Sequence, residues 1–308
     1  MSNLSEPLVT INILSYNRKE ELRFTLTKVF EQDYKNIEVI VVDNASSDGT
    51  QEMVKNEFPD VNLIELKENI GIGGWNKGFE VAKGEHVLVL DDDSYPENGT
   101  IKAGVETIKA DDKIAVVGFT IYNSYFDLIE NKQDYDVSNE KAIETIGFIG
   151  CGALIRKKIF LDLGGFEKAI FLYYNELEFS IRAKNAGYKT FFDPNNRVVH
   201  TYSLIMRTEN NEIKLYINKR RFEHTFKSYF LYQYLHFSIK HFVKYSVKLI
   251  LSKFYVALKL HYLLIYLRTL ISLPFLMKSV GNKRKPVKKS IQKEYNFGNL
   301  KFKDFYVY

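Results

Sequence analysis

What is scarce narrows the chain first. Its 308 residues include one cysteine, Cys151, six prolines and one tryptophan, Trp75. A lone cysteine excludes an internal disulfide framework and a Cys-rich zinc site, and it suits a reducing compartment. Six prolines and 17 glycines leave no room for collagen-like or Pro-rich low-complexity character. Long uncharged apolar runs are missing too. Residues 260–267 and 269–277 are parted by Arg268, short of the ~18 that a transmembrane helix needs. The opening MSNLSEPLVT has no basic stretch leading an apolar one, so no secretory signal is expected. What is present, 45% hydrophobic and 26% charged residues, supports a sizeable core and excludes wholesale disorder.

Charge is informative once it is divided. The formal net charge is +5, but residues 201–308 hold 21 Lys and Arg against 5 Asp and Glu, while residues 1–200 hold 22 against 33. An acidic N-terminal two-thirds is joined to a strongly basic tail, and such a tail meets an anionic surface, either lipid or nucleic acid. The boundary is placed at 205/206, giving a main domain of 1–205 and a helical region of 206–308. In that region Lys240, Lys244 and Lys248 recur every four residues, with Phe242, Val243, Leu249, Ile250 and Phe254 as the apolar side. Two readings stand. One is a helix lying on an anionic membrane surface; the other is a helical layer packed on the main domain with its lysines in water. Lysines interleaved with Leu, Ile and Val suit lipid better than nucleic acid, and no RNA- or DNA-binding motif is recognisable.

The first 121 residues alternate between short apolar runs and helical patterns. Strands are expected at 9–15, 37–42, 61–66, 86–90 and 114–121, and helices at 19–30, 49–58, 75–83 and 97–109. The segment 122–145 reads as irregular, 147–155 (GFIGCGALI) as a further strand, and 176–186 as a helix ended by Gly187. This pattern is α/β, with a mostly parallel sheet. Such sheets bind ligands beyond the carboxyl ends of their strands. Ser15, Tyr16, Asn17 and Arg18 follow the first strand; Asp43 and Asn44 follow the second. A glycine segment from Asn69 to Gly78 follows the third, and Asp91, Asp92 and Asp93 follow the fourth. The glycine segment is not a dinucleotide fingerprint, because the third glycine position is Asn76, and no Walker loop is present. Three adjacent carboxylates repel one another unless a cation is present. They suit a hard divalent ion, Mg²⁺ or Mn²⁺, that grips a diphosphate; the plainer alternative is an acidic turn that caps the next helix.

Taken together, Ser15-Tyr16-Asn17, Val41-Val42-Asp43-Asn44, Asn69-x-Gly71, Asn76-x-Gly78, Leu90-Asp91-Asp92-Asp93 and the later run Gly164-Gly165-Phe166…Asn175-Glu176-Leu177-Glu178…Arg182…His200 resemble the GT-A-fold family 2 glycosyltransferases over roughly residues 7–205. The resemblance implies a Rossmann-like GT-A domain that binds a nucleotide-diphosphate sugar. Asp43 would read the base, with Ser15, Tyr16, Asn17 and Asn44 around base and ribose. Gly71, Trp75 and Asn76 would form the donor-side helix N-terminus, and Asp92 would face the ribose or donor sugar. Asp91, Asp93 and His200 would hold Mn²⁺ or Mg²⁺. Glu176 stands where the family's catalytic aspartate stands. The usual acidic motif is Glu-Asp-x-Asp, and here it is Asn175-Glu176-Leu177-Glu178, which leaves one candidate base and not two. Glu178, four residues before Arg182, reads as an i,i+4 ion pair.

The function expected is thus a metal-dependent inverting transfer of a sugar from a UDP- or dTDP-sugar to a hydroxyl of a glycan or polyprenol-linked glycan, in surface polysaccharide assembly. The enzyme would be cytoplasmic and peripheral on the inner face of the membrane. No nucleic-acid partner is expected, and a homo-oligomer is compatible. The rivals are a catalytically weak nucleotide-sugar-binding subunit, suggested by Asn175, and a nucleotidyltransferase of related fold, which would not need Glu176 followed by His200.

Overall fold

In the computed structural model, residues 6–124, 127–130, 142–201 and 218–295 are described. The strands are β1 (Val9–Ser15), β2 (Ile37–Asp43), β3 (Asn62–Glu65), β4 (His86–Asp91), β5 (Ser94–Pro96), β6 (Ile114–Asn123), β7 (Leu128–Ile129), β8 (Ile143–Thr145), β9 (Ala153–Arg156) and β10 (Lys189–His200). The helices are α1 (Lys19–Phe30), α2 (Thr50–Glu57), α3 (Gly73–Val81), α4 (Thr100–Lys109), α5 (Lys157–Asp162) and α6 (Asn175–Asn185) in the first part of the chain. Then come α7 (Lys219–His236), α8 (Ile239–Lys259), α9 (Leu263–Val280) and α10 (Lys289–Glu294).

The ten strands form one sheet in the order β3-β2-β1-β4-β9-β6-β10-β5, with β7 on β6 and β8 on β10. β3, β2, β1 and β4 run parallel, and β9 enters antiparallel between β4 and β6. The apolar strands β1, β2 and β4 are buried on both faces by helices, as continuous hydrophobic runs require. α1 turns Leu22, Leu26 and Val29 into the core at helical spacing. Asp48 accepts N–H bonds from Lys19 and Thr50 (3.0 and 3.1 Å) and so heads two helices at once.

Register brings the chemistry to one edge. Ser15 pairs with Asp43, and Leu14 with Asp91, so the ends of β1, β2 and β4 are level. β10 shifts register between Asp193 and Arg197, which brings His200 opposite Ser94 of β5 and Asn123 of β6. A residue 107 positions beyond Asp93 thereby arrives beside it.

Two expectations need correction here. The strand expected at 147–155 is confined to β9, and residues 147–152 run as a loop. Glycine weakens a strand, and the Gly150 N–H donates to Glu176 (3.2 Å) instead of to a ladder. The second concerns length and composition. Leu263–Lys283 is long and apolar enough to cross a membrane by length and composition, although Arg268 and Lys278 stand within its apolar window, of which 22% is buried. The expected irregular segment 122–145 lies in part outside the described residues, as does the 205/206 boundary. The C-terminal helices pack on the main domain: Ile181 of α6 shares a core with Phe222, Phe226, Tyr229 and Tyr232 of α7. Phe242 and Leu249 of α8 also point inward, whereas Val243 and Phe254 are exposed, so the expected apolar side is divided.

Gly78 of α3 gives the Asn76-x-Gly78 spacing a steric reason. A Cβ there would stand 2.1 Å from Asn12 Oδ1, on a side chain that donates to the Trp75 carbonyl (3.0 Å). Gly→Ala inside a helix ordinarily stabilises by about 1 kcal/mol. Here the overlap with a buried, bonded side chain should outweigh that gain, since overpacking costs about 1–3 kcal/mol. Gly78→Ala is therefore expected to lower stability in denaturant unfolding; an increase would show that α3 has room to lift from β1.

Candidate active site

The acidic run is held by cations of the chain itself. Asp92 is buried and accepts from Ser15 Oγ (3.1 Å), the Tyr16 N–H (3.2 Å) and Arg18 Nη1 (3.2 Å). The same Nη1 also bonds Asp93 Oδ2. Asp93 Oδ1 lies 3.1 Å from His200 Nε2, and His200 Nδ1 lies 2.9 Å from Glu130 Oε1. Burial opposes a charge on His200, but Asp93 and Glu130 outweigh it and raise its pKa to about 10. Burial also raises the Asp92 carboxyl, against the pull of Arg18.

Asp91, Asp93 and His200 each offer one ligand atom, and the three atoms lie within 4.8 Å of one another. Two carboxylate oxygens and an imidazole nitrogen form a donor set that fits Mn²⁺ or Mg²⁺. The expected metal residues are thus brought together.

The donor-side residues divide. Asp43 is buried; its Oδ2 accepts from the Ser46 N–H (3.0 Å) and Gln51 Nε2 (2.7 Å), while Oδ1 has no partner among the described residues. Tyr16 is exposed, and Asn17, at positive φ, accepts from the Ser47 N–H (2.7 Å). Asn44 is occupied in folding the glycine segment: it donates to the Gly71 carbonyl and accepts from the Ile70 N–H, both at 3.0 Å. Gly71 has positive φ, and a Cβ there would meet the Phe171 carbonyl at 2.1 Å, which fixes the residue as glycine. Trp75 and Asn76 stand in the first turn of α3, as expected, with their side chains turned inward. Trp75 is buried and donates to the Leu90 carbonyl (3.2 Å). Asn76 donates to the Phe166 carbonyl and accepts from its N–H, both at 2.9 Å. Both residues spend their polar groups tying α3 to the protein interior.

Two glutamates of α6 sit in opposite environments. Glu176 is buried; Oε1 accepts the Gly150 N–H, while Oε2 has no partner among the described residues. Burial, with the charge of Asp91 added, pushes its pKa up to about 7. The Asn175 amide beside it is also buried; its atoms meet no hydrogen-bond partner at full geometry among the described residues, yet it draws the Glu176 carboxyl down a little. Burial acts on Glu178 too, but Arg182 and His236 outweigh it and hold the carboxyl at about 2. Arg182 grips Glu178 through two bonds of 2.7 Å, and His236 Nε2 of α7 lies 2.8 Å away. The expected i,i+4 ion pair is present.

Sequence reasoning assigned no role to Arg18, Glu130, Gln51 or His236. Arg18 carried a signal, since it follows the same strand end as Ser15 to Asn17. Glu130 and His236 reach the site through tertiary contacts alone, and no local pattern marks them.

The Glycosyl transferase family 2 model matches residues 10–164. The glycosyltransferase AglE of Haloferax volcanii is 27% identical over 202 residues, a match that covers 60% of this chain and 64% of that protein. UDP-Glc:alpha-D-GlcNAc-diphosphoundecaprenol beta-1,3-glucosyltransferase WfaP of Escherichia coli is 36% identical over 91 residues, covering 29% and 36%. The chain thus spans between about a third and two thirds of the length of these curated relatives. Among solved structures, GalNAc-T7 with UDP, GalNAc and Mn²⁺ superposes with a TM-score of 0.60 at 17% identity, over 78% of this chain and 49% of that one. Mannosyltransferase PcManGT from Pyrobaculum calidifontis, in complex with GDP-Man and Mn²⁺, gives 0.58 at 19% identity over 97% and 89%. At such identities the likeness establishes the GT-A fold.

An ionised Glu176 burdens the fold. Raising a buried carboxyl from 4.5 to about 7 costs about 3 kcal/mol once the group is charged. The cost is absent below the unfolded value of 4.5, grows between 4.5 and about 7, and is complete above that. Glu176→Gln should therefore stabilise the metal-free protein by up to about 3 kcal/mol at pH 8 and by little at pH 4.5. Denaturant unfolding at the two pH values measures this; an equal effect at both would mean that the carboxyl is solvated.

Proposed function

The chain belongs to glycosyl transferase family 2, and from that premise we propose that it is a metal-dependent inverting glycosyltransferase. It moves a sugar from a nucleotide-diphosphate donor, a UDP- or dTDP-sugar, to a hydroxyl of a glycan or lipid-linked glycan in surface polysaccharide assembly. The observation that carries this reading is Glu176 Oε2, without a hydrogen-bond partner among the described residues and buried close enough to the Asp91–Asp93–His200 cluster for Asp91 to raise its pKa. A carboxyl kept near neutrality and short of a hydrogen-bond donor is suited to accept a proton.

In this mechanism the donor lies across the ends of β1, β2 and β4, with Asp43 presenting its spare Oδ1 to the base. Glu176 removes the proton of the acceptor hydroxyl as that oxygen attacks the anomeric carbon, opposite the departing diphosphate. Asp91, Asp93 and His200 would hold the cation, which supplies positive charge against the charge building on the leaving group. The Gly150 N–H holds Glu176 Oε1, so the unpartnered oxygen is the one offered to the acceptor.

The membrane partner belongs to the same proposal. α8 exposes Ile239, Val243, Val247 and Leu251 at four-residue intervals, with Lys240, Lys244 and Lys248 one position on. α9 exposes Leu264 at 83% and Phe275 at 71%, with Ile271 between them. Apolar stripes edged by lysine suit the cytoplasmic leaflet, where a polyprenol-linked acceptor would be met.

Glu176→Gln should bind donor with unchanged affinity yet lose about 10²–10⁴-fold in transfer rate. Because the base acts ionised, wild-type transfer should rise with pH through about 7 and then level off. Asp93→Ala, or excess EDTA on the wild type, should abolish transfer. Near-normal transfer by Glu176→Gln would place the base elsewhere, and full activity in EDTA would remove the metal. Donor binding without transfer across donors and acceptors would favour the binding subunit.

Vesicle flotation tests the membrane partner. Binding should be stronger to anionic than to neutral vesicles and should weaken as salt shortens the screening length. Leu264→Ser with Phe275→Ser should reduce it at all salt concentrations. Equal binding to both vesicle types would argue for hydrophobic adhesion alone.

A further inference from the structure

We propose that Arg18 is a built-in counter-cation that competes with the divalent ion for Asp93, so that the ion is admitted only when the guanidinium is drawn away. The inference rests on the reading of Asp91, Asp93 and His200 as the cation's ligands. Arg18 Nη1 bonds both Asp93 Oδ2 and Asp92 Oδ1, and Asp93 Oδ1 faces His200, so both oxygens of Asp93 already have partners and one of these is the guanidinium. The arrangement answers a need of the metal-free fold: two adjacent buried carboxylates are costly without positive charge between them. A guanidinium stays charged at every working pH, so it cannot yield the position by losing a proton and has to move.

The surroundings of Arg18 permit that movement. It stands between β1 and α1, its side chain is 24% exposed, and its side-chain bonds among the described residues all run through Nη1. A guanidinium with two spare donors matches a pair of phosphate oxygens. A diphosphate arriving at the strand ends offers Arg18 a new partner at the moment when the cation replaces it on Asp93. The carboxylates are neutralised before and after the exchange. Cation and nucleotide then strengthen each other's binding, and by linkage the coupling is equal in both directions.

The test is Mn²⁺ binding to the nucleotide-free full chain by titration calorimetry. Arg18→Met is expected to bind Mn²⁺ at least tenfold tighter than wild type, and Arg18→Lys to fall between them. Arg23→Met removes the same charge from a surface pair with Glu57 and should leave Mn²⁺ affinity unchanged. Since Arg18→Met leaves two carboxylates uncompensated, the rise in melting temperature on adding Mn²⁺ is read as well, and it should be larger than in wild type. Unchanged or weaker Mn²⁺ binding by both Arg18→Met and Arg18→Lys would overturn the proposal. Equal tightening by Arg23→Met would do so too, since net charge alone would explain it. Absence of Mn²⁺ binding in every variant, with Asp93→Asn no different, would instead overturn the cation site itself.

Discussion

Buried negative charge is the constraint around which this protein is arranged. Asp92 and Asp93 follow one another at the end of β4, both almost fully enclosed. Carboxylates so placed either find positive partners or take up protons. The chain answers with Arg18 from the first strand end and His200 from the last strand, and it backs His200 with Glu130. Much of the topology serves this junction. β10 changes register between Asp193 and Arg197, and its end is pinned on both sides, by β5 and by β6. The Thr201 N–H donates to the Asp93 carbonyl (2.8 Å), which closes the corner.

The same constraint separates the two glutamates of α6. They are two residues apart on one helix and are similarly buried, yet one carboxyl is held at about 2 and the other is raised to about 7. Position along the helix cannot explain the difference; partners do. Glu178 has Arg182 and His236, and through Arg182 it is tied to the carbonyls of Leu163 and Gly165 (2.5 and 2.6 Å). Glu176 has one backbone N–H. Carboxyls driven apart by their surroundings are the arrangement by which one fold assigns different roles to the same group. Glu178 is thereby a fixed anchor of the helix, and Glu176 is the carboxyl that its surroundings hold less firmly.

Much of the sheet was legible because β1, β2 and β4 are short apolar runs with polar residues at their carboxyl ends, and a parallel register levels those ends without further information. The acidic run and the later helix were legible for the same reason, as local patterns with few structural solutions. The place of Trp75 and Asn76 at the start of α3 was legible, but not the bonds of their side chains, since a polar residue after a glycine turn looks the same whether it faces a ligand or the Phe166 backbone 90 positions on. The 147–155 run misled because small apolar residues suit a strand and a tight loop alike; the choice was made by Glu176, which takes the Gly150 N–H. Glu130 and His236 were silent, because each acquires its partner only through packing of segments distant in sequence.

The C-terminal layer is part of the site's support and not an appendage. His236 of α7 supplies one of the two side chains that hold Glu178, on the helix that carries Glu176. Phe222 and Tyr232 of α7 share a core with Ile181 of the same helix. The Ser228 hydroxyl donates to the Leu172 carbonyl (2.7 Å), in the segment that meets the glycine turn at Phe171. Deleting the layer would therefore leave Glu178 with Arg182 alone and expose aromatic surface before it said anything about lipid. The outward stripes of α8 and α9 lie on the opposite side of that packing: Phe242 and Leu249 point in while Val243 and Leu251 point out. One pair of helices thus keeps an apolar, lysine-edged face outward and fastens with the other, through α7, to α6. In the membrane reading proposed above, the basic layer would meet the anionic surface and the acidic main domain would face away from it, as the division of charge along the chain favours.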